Sequence, residues 1–579
     1  MQNINKITIS QILLVLVLLL AFWLRFINLG AIPLSDLEAK PALAALNISQ
    51  NSLNESGNQP LYISLTSLLF EFINSSNLLA RFLPAFVGSV MILPIYLYYP
   101  KMTRGEILFI ALLLAIDPAF ISISRQVDSR ILVITFFIAS MGFLHKKNYL
   151  FAGISTALMV LSGLYFWHVA LICLTYVLFI ECFEKITHNR IFGTLLKTII
   201  KQGDWKKYLL CFSLSLVLFG TRFLSEPLLI NQIVQSFIDY FNGWINSSGV
   251  FSQAPLLLIV LFTGYPLFIL IGSTEVLWSL IEHKRSFYLF FSFLLISFFI
   301  ILAYPLANHV DIIFIIPFYL YLFIQFLIRS TQKLRVSLKA SLLVTIPIVG
   351  VTAIIWLAVL RTINFTLGIN EFEQLLIVII GCLLLMGLIL IIVSWGWTYT
   401  YSINSIILTL VLVLGIYHLS TTAHIIGASS TPETEVWWID GYFKDAEMVL
   451  KSVDRISLMN SGLNNEIEIV IDGSSLPSVN WLLRQYDLKI LDKISRFSSH
   501  SIIITKEENL SLLNSSYRGF KFILTTKPYW MEDVNKYFLT RDFYKWLFLR
   551  KNMVKNEEYY LWARADLFPG NNIKFENIN

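Results

Sequence analysis

An α-helical polytopic membrane protein with about 13 transmembrane helices and a small C-terminal α/β domain is what this chain predicts, and three observations carry the prediction. Of its 579 residues, 56% are hydrophobic and only 14% charged, where a soluble protein carries about 25% charged. Lysine and arginine alternate in density from one polar loop to the next. After about Ser430 the long apolar runs stop and charge becomes frequent, with 19 of the 43 Lys and Arg residues in this last quarter.

A spanning helix takes about 20 mostly apolar residues. Such segments run Ile9–Ile27, Phe82–Tyr99, Ile107–Ile123, Ile131–Leu144, Tyr149–Leu164, Tyr165–Phe183 and Tyr208–Leu224. They continue as Pro255–Trp278, Ser286–Tyr304, Val310–Leu327, Ala340–Leu360, Gln374–Ser394 and Asn404–Ser420. Leu61–Ile73 is apolar but short and carries Glu71, which reads as an interfacial or re-entrant piece. The first span has a long apolar run with no small-residue cleavage site after it, so it reads as a retained span rather than a signal peptide.

Basic residues concentrate on the cytoplasmic side of membrane proteins. With the N-terminus inside, one set of loops holds 17 of them, among them Lys101, Arg104, Lys146, Lys147, Lys284, Arg329 and Lys339. The other side, before residue 430, holds seven: Arg25, Lys40, Arg81, Arg125, Arg130, Arg222 and Arg361. This predicts a multi-pass protein of the cell membrane, N-terminus cytoplasmic and C-terminal domain extracytoplasmic. Residues 1–429 form the membrane domain, with a first outer loop at 28–81, and residues 430–579 the outer domain. The basic residues belong to membrane loops, so no nucleic-acid partner is implied. Cys173, Cys182, Cys211 and Cys382 all lie in apolar spans, without disulfide or metal spacing.

In the outer domain Tyr442–Ile456 and Leu476–Tyr486 read as helices, and Glu466–Asp472, Ser501–Thr505 and Lys521–Thr525 as strands. No phosphate loop or metal cluster appears there, which points to interaction or a lid.

Charge at a membrane edge is costly and marks sites. The outer face collects Asp36, Glu38 and Lys40 in the first loop and Gln59 and Tyr62 at its end. Arg125, Asp128 and Arg130 follow between the third and fourth spans, then His309 and Asp311. Snorkelling arginines paired with carboxylates are the plain reading, as is an interfacial role for His309. The chemical reading is a carboxylate base within reach of a hydroxyl, with arginines on a phosphate whose leaving charge they stabilise. That set suits transfer from a lipid-phosphate donor. An acidic pair beside a phosphate also has the ligands for a divalent metal; the expectation is that none is used.

The runs LRFINLGAIPLSDLEAKPALAALN, QPLYISLTSLLFEF, LARFLPAFVGSVMILPIYLYY and IDPAFISISRQVDSRILVITFFIASMGFL resemble the N-terminal part of GT-C glycosyltransferases. They are most similar to the protein O-mannosyltransferase and lipid A aminoarabinose transferase group, glycosyltransferase family 39-like, over about residues 10–180 and loosely beyond. The resemblance implies an inverting enzyme that takes a sugar from a polyprenyl-phosphate donor and passes it to a protein, lipid or glycan acceptor on the outer face. It implies a base in a first-loop Asp-Glu-Ala motif and basic residues on the donor phosphate. That motif falls on Leu37-Glu38-Ala39, with Asp36 one position early, and the family's phosphate-binding lysine falls on Gln59. The catalytic pair is then Asp36 and Glu38, with Lys40, Gln59, Arg125, Asp128, Arg130 and His309 binding substrate. Alternatives are a non-catalytic relative that assists envelope polysaccharide or glycolipid assembly, and a secondary transporter; the chain shows no repeat between its halves that favours the latter.

Overall fold

The computed structural model describes residues 9–50, 57–99, 102–187, 204–245, 249–282, 285–334, 338–364, 369–397, 399–427, 435–473, 475–491, 500–507, 516–528 and 554–568, with isolated positions 540, 543 and 546. Its first helix, α1 (Ile9–Phe26), turns Leu13, Leu16, Leu19 and Trp23 outward and buries Ala21, Leu24 and Arg25. An apolar exterior with a polar side chain turned inward suits a lipid surround.

The first loop is not irregular. It holds α2 (Asp36–Ser49) and α3 (Pro60–Phe72). Ser35 caps α2: its hydroxyl accepts the Glu38 N–H at 3.4 Å while the Glu38 carboxylate accepts the Ser35 N–H at 3.1 Å. The helix α4 (Asn77–Val90) follows, capped by Ser76.

Further along, α5 (Arg104–Ile116) and α6 (Pro118–Ser124) meet at a 58° bend. Pro118 explains it, since the residue before a proline leaves the helical region, and Asp117 is extended at φ −66 and ψ 125. Then come α7 (Arg130–His145), α8 (Tyr149–Val160), α9 (Leu164–Thr187), α10 (Trp205–Gly220) and α11 (Asn231–Ile245). The single span expected at Pro255–Trp278 is two helices, α12 (Ala254–Gly264) and α13 (Pro266–Ile281), interrupted for the same reason at Pro266. The chain continues with α14 (Arg285–Ala303), α15 (Ile316–Leu334), α16 (Leu338–Asn364), α17 (Ile369–Gly396) and α18 (Tyr399–Ile426). A short 3-10 helix, His309–Phe314, precedes α15 where a span start had been expected.

Among the described residues, five helices are long and apolar enough to cross a membrane, or six counting the bent pair. The other expected spans are shorter apolar helices, so thirteen remains the hydropathy expectation.

In the C-terminal domain α19 (Ala446–Ser461) and α20 (Pro477–Leu482) accompany, among the described residues, five strands: β1 (Glu468–Asp472), β2 (Asp487–Leu491), β3 (Ile502–Thr505), β4 (Tyr517–Pro528) and β5 (Val554–Arg564). The sheet order is β2-β1-β3-β5-β4, with β1 parallel to β2 and β3, and β5 antiparallel to β3 and β4. Its core joins Val449 and Val453 of α19 to Ile469, Ile471, Ile502, Ile504 and Leu561. Trp437 and Trp481, by contrast, are buried with the core of the membrane domain, so the two domains share a packed seam.

The ion pair between Glu38 and Arg81 fixes the first loop. Both side chains are buried, and all five guanidinium N–H groups are used. Nε and Nη2 donate to the carboxylate at 2.8 and 2.7 Å, and Nη1 and Nη2 donate to the carbonyls of Leu29, Ile32 and Pro33. Removing one member of such a pair strands the other charge. Arg81→Ala is expected to lose about 3–5 kcal/mol of stability, read as a lower thermal midpoint of the purified protein; an unchanged midpoint would contradict the role given to this pair.

Candidate active site

Two residues before Glu38, Asp36 stands in the first turn of α2, half-buried, where its Oδ1 accepts the backbone N–H of Ser478 at 2.8 Å. Consecutive helical positions lie about 100° apart, so Asp36 and the half-exposed Leu37 face different ways. Lys40 is exposed one turn on, at i+4 from Asp36 and on the same face of α2. Glu38 faces inward, and its Oε1 also accepts the Val127 N–H at 3.1 Å. The two carboxylates therefore have different situations. Glu38 ties three segments together; Asp36 looks into the seam between the domains.

The loop after α6 supplies the next layer. Arg130 lies between Asp311, with Nε at 2.5 Å, and Asp128, which it also bonds; its guanidinium stacks 4.1 Å over the Tyr165 ring. Burial pushes the Asp128 carboxyl above its ordinary value, and the Arg130 charge opposes that. His309 gives its Nε2 hydrogen to the Trp438 carbonyl at 3.1 Å. Burial pushes its imidazole down to about 4, with the carbonyls of Trp438 and Val436 working the other way. Asp128, Arg130 and His309 are thus brought into one crown with Asp311 and Tyr165.

Arg125 has a different task, donating from Nη1 to the carbonyls of Leu24, Arg25 and Ile27 at 3.3, 3.2 and 2.6 Å. These carbonyls end α1, where the helix leaves acceptors without partners. Gln59 precedes α3, and its Oε1 is buried without a hydrogen-bond partner. Among the described residues no group of three or more His, Cys, Asp and Glu is placed to hold a metal ion.

Sequence reasoning missed His168, whose Nδ1 lies 3.2 Å from the Tyr240 hydroxyl and whose buried Nε2 has no partner. The rings of Tyr240, Tyr304 and Phe314 surround it within 6 Å. A histidine inside an apolar run gave no signal of this.

Beneath the crown opens a cavity of about 780 Å³. Ile134, Val169 and Phe314 line its end nearest the crown, and Phe137, Phe290 and Phe318 its walls. Its far end meets Glu275 and Arg329, 2.9 Å apart. Following α15 from Ile316 to Arg329 gives a depth of about 20 Å at 1.5 Å per residue.

No family model matches the chain, and no curated protein matches it. Its fold does match a solved structure. ArnT from Cupriavidus metallidurans, bound to undecaprenyl phosphate, superposes with a TM-score of 0.53 over 96% of this chain and 98% of that one, at 12% identity. The apo form of the same protein gives 0.52 with the same coverage and identity. The chain therefore shares its fold with that protein.

The Ser478 contact is directly measurable. The Ser478 amide should be protected from hydrogen exchange, and Asp36→Ala should raise exchange of the peptide covering 476–482 at least tenfold. Unchanged protection would mean that Asp36 does not hold α20.

Proposed function

We propose that this protein is an integral-membrane glycosyltransferase that moves a sugar from a polyprenyl-phosphate-linked donor to an acceptor hydroxyl on the extracytoplasmic face. The observation that carries the reading is Asp36: a half-buried first-loop carboxylate in the seam between the domains, without an arginine partner among the described residues, two positions before the Glu38 that bonds Val127 of the crown loop. The likeness in fold to a protein solved with undecaprenyl phosphate supports it, and so does the cavity, whose apolar walls suit a prenyl chain.

In this reading Asp36 takes the proton of the acceptor hydroxyl as its oxygen attacks the anomeric carbon. The bond from that carbon to the phosphate oxygen breaks, and its electron pair leaves with the phosphate. Inversion follows because attack comes from the face opposite the leaving group. Lys40, one turn from Asp36, meets the phosphate charge as a point cation. Glu38 acts through position, holding α2 against Arg81 and Val127. Arg125 spends Nη1 on the α1 carbonyls, and Arg130 spends Nε and Nη1 on Asp311 and Asp128, so in this reading their part is to shape the crown. No metal enters these steps.

A second reading has an observation of its own. Gln59 is uncharged and Asp36 is capped by Ser478, which is what a non-catalytic relative in envelope glycan assembly would retain.

Sugar transfer in reconstituted membranes separates them. Asp36→Asn is expected to lower transfer at least a hundredfold with the fold intact, and Asp36→Glu to keep part of it. Full transfer by Asp36→Asn would remove Asp36 from the mechanism. For topology, single cysteines at Lys147 and at Asn464 should label from opposite sides of sealed vesicles; labelling from one side would overturn the arrangement.

A further inference from the structure

We propose that the outer domain completes this site, with Lys527 at the end of β4 as a second cation on the donor phosphate. The inference rests on the glycosyltransferase reading and deepens it, since it makes the site a joint product of both domains.

The path from crown to Lys527 is short and fully connected. The Trp437 carbonyl accepts from the Ser122 hydroxyl and the Gln126 amide, and the Trp438 carbonyl accepts from His309 Nε2. The Ile439 N–H donates to the Gln126 Oε1 at 3.0 Å. The next residue, Asp440, pairs with Lys527 at 2.7 Å. Gly441 then runs so close to β4 that an added Cβ would lie 2.7 Å from the Thr526 carbonyl oxygen. The segment 437–441 is thus a tight strap between the crown and the last residues of β4.

Lys527 also lies within electrostatic range of the site. Burial opposes its charge, and the charge and hydrogen bond of Asp440, together with Glu557 and Asp36, hold the ammonium above the ordinary lysine value. Asp36 likewise acts on Tyr559 of β5. The seam therefore places the Asp36 carboxylate within range of Lys527 of β4 and Tyr559 of β5.

Among the described residues, three arginines bordering the first loop are engaged elsewhere. Arg81 has Glu38 and three carbonyls, Arg222 pairs with Glu71, and Arg484 bonds Ser75 and the Trp481 carbonyl. Lys527 differs. An ammonium has three donors, the Asp440 pair takes one, and the side chain is 50% exposed. A half-exposed lysine pair contributes little to stability, so the strap and the charge it presents call for another explanation. A lipid phosphate entering beside Asp36 supplies one, and Lys527 then provides the positive charge that Gln59 lacks.

The test is binding of undecaprenyl phosphate to the full-length purified protein, with undecaprenol as the phosphate-free control and inorganic phosphate as competitor. Lys527→Gln is expected to weaken undecaprenyl phosphate binding at least tenfold, to leave undecaprenol binding unchanged, and to keep the thermal midpoint of the wild type. Lys527→Arg should bind within a fewfold of wild type, and inorganic phosphate should compete weakly because it lacks the tail. Wild-type binding by Lys527→Gln, while Lys40→Gln binds weakly, would overturn the inference and leave the glycosyltransferase reading standing. Absence of binding by the wild type would overturn both.

Discussion

The Glu38–Arg81 pair is the constraint on which the first loop and the crown depend. A buried carboxylate and a buried guanidinium cannot stand alone in an apolar surround. Here the need for partners is met by drawing in Val127 from the loop after α6 and the carbonyls of Leu29, Ile32 and Pro33. One ion pair thereby sets the position of α2, α4 and the crown loop relative to each other. Asp36 and Lys40 take their places from it, because a helix pinned at Glu38 has no freedom to turn them elsewhere.

Arginines serve the fold here more than they serve a ligand. Arg25 donates to the carbonyls of Leu114 and Ala115 at the end of α5, and Arg125 does the same for α1. Each guanidinium satisfies acceptors that a membrane interior offers no water to satisfy. Lysines, with compact charges and long stems, stay at the rim. The strap at 437–441 links the two domains, meeting Gln126 and His309 on one side and Lys527 and Thr526 on the other.

Much of this was legible in the chain. Composition pointed to the membrane class, and the change near Ser430 marked where the sheet-containing C-terminal region begins. SDLEAK marked the first loop, and it is there that the two carboxylates part in role. What sequence did not reveal has physical reasons. The breaks at Asp117 and Tyr265 come from Pro118 and Pro266, which hydropathy averages over. The strands β2 and β5 carry alternating charge, as in DLKIL and VKNEEYYLWAR, and their pairing across the sheet is long-range. Glu38 and Arg81 are 43 residues apart, so no local pattern announces that one carboxylate is structural. His168 and Lys527 had no motif at all.

The central claim is that a lipid phosphate sits in the seam between the first loop and the outer domain with its tail in the cavity below. A density map of the full-length protein with undecaprenyl phosphate tests it most directly. The account predicts phosphate density within hydrogen-bond reach of Lys40 and Lys527, beside Asp36, with the chain running past Phe314 toward Phe290. Phosphate density at Arg329, at the opposite end of the cavity, would contradict it.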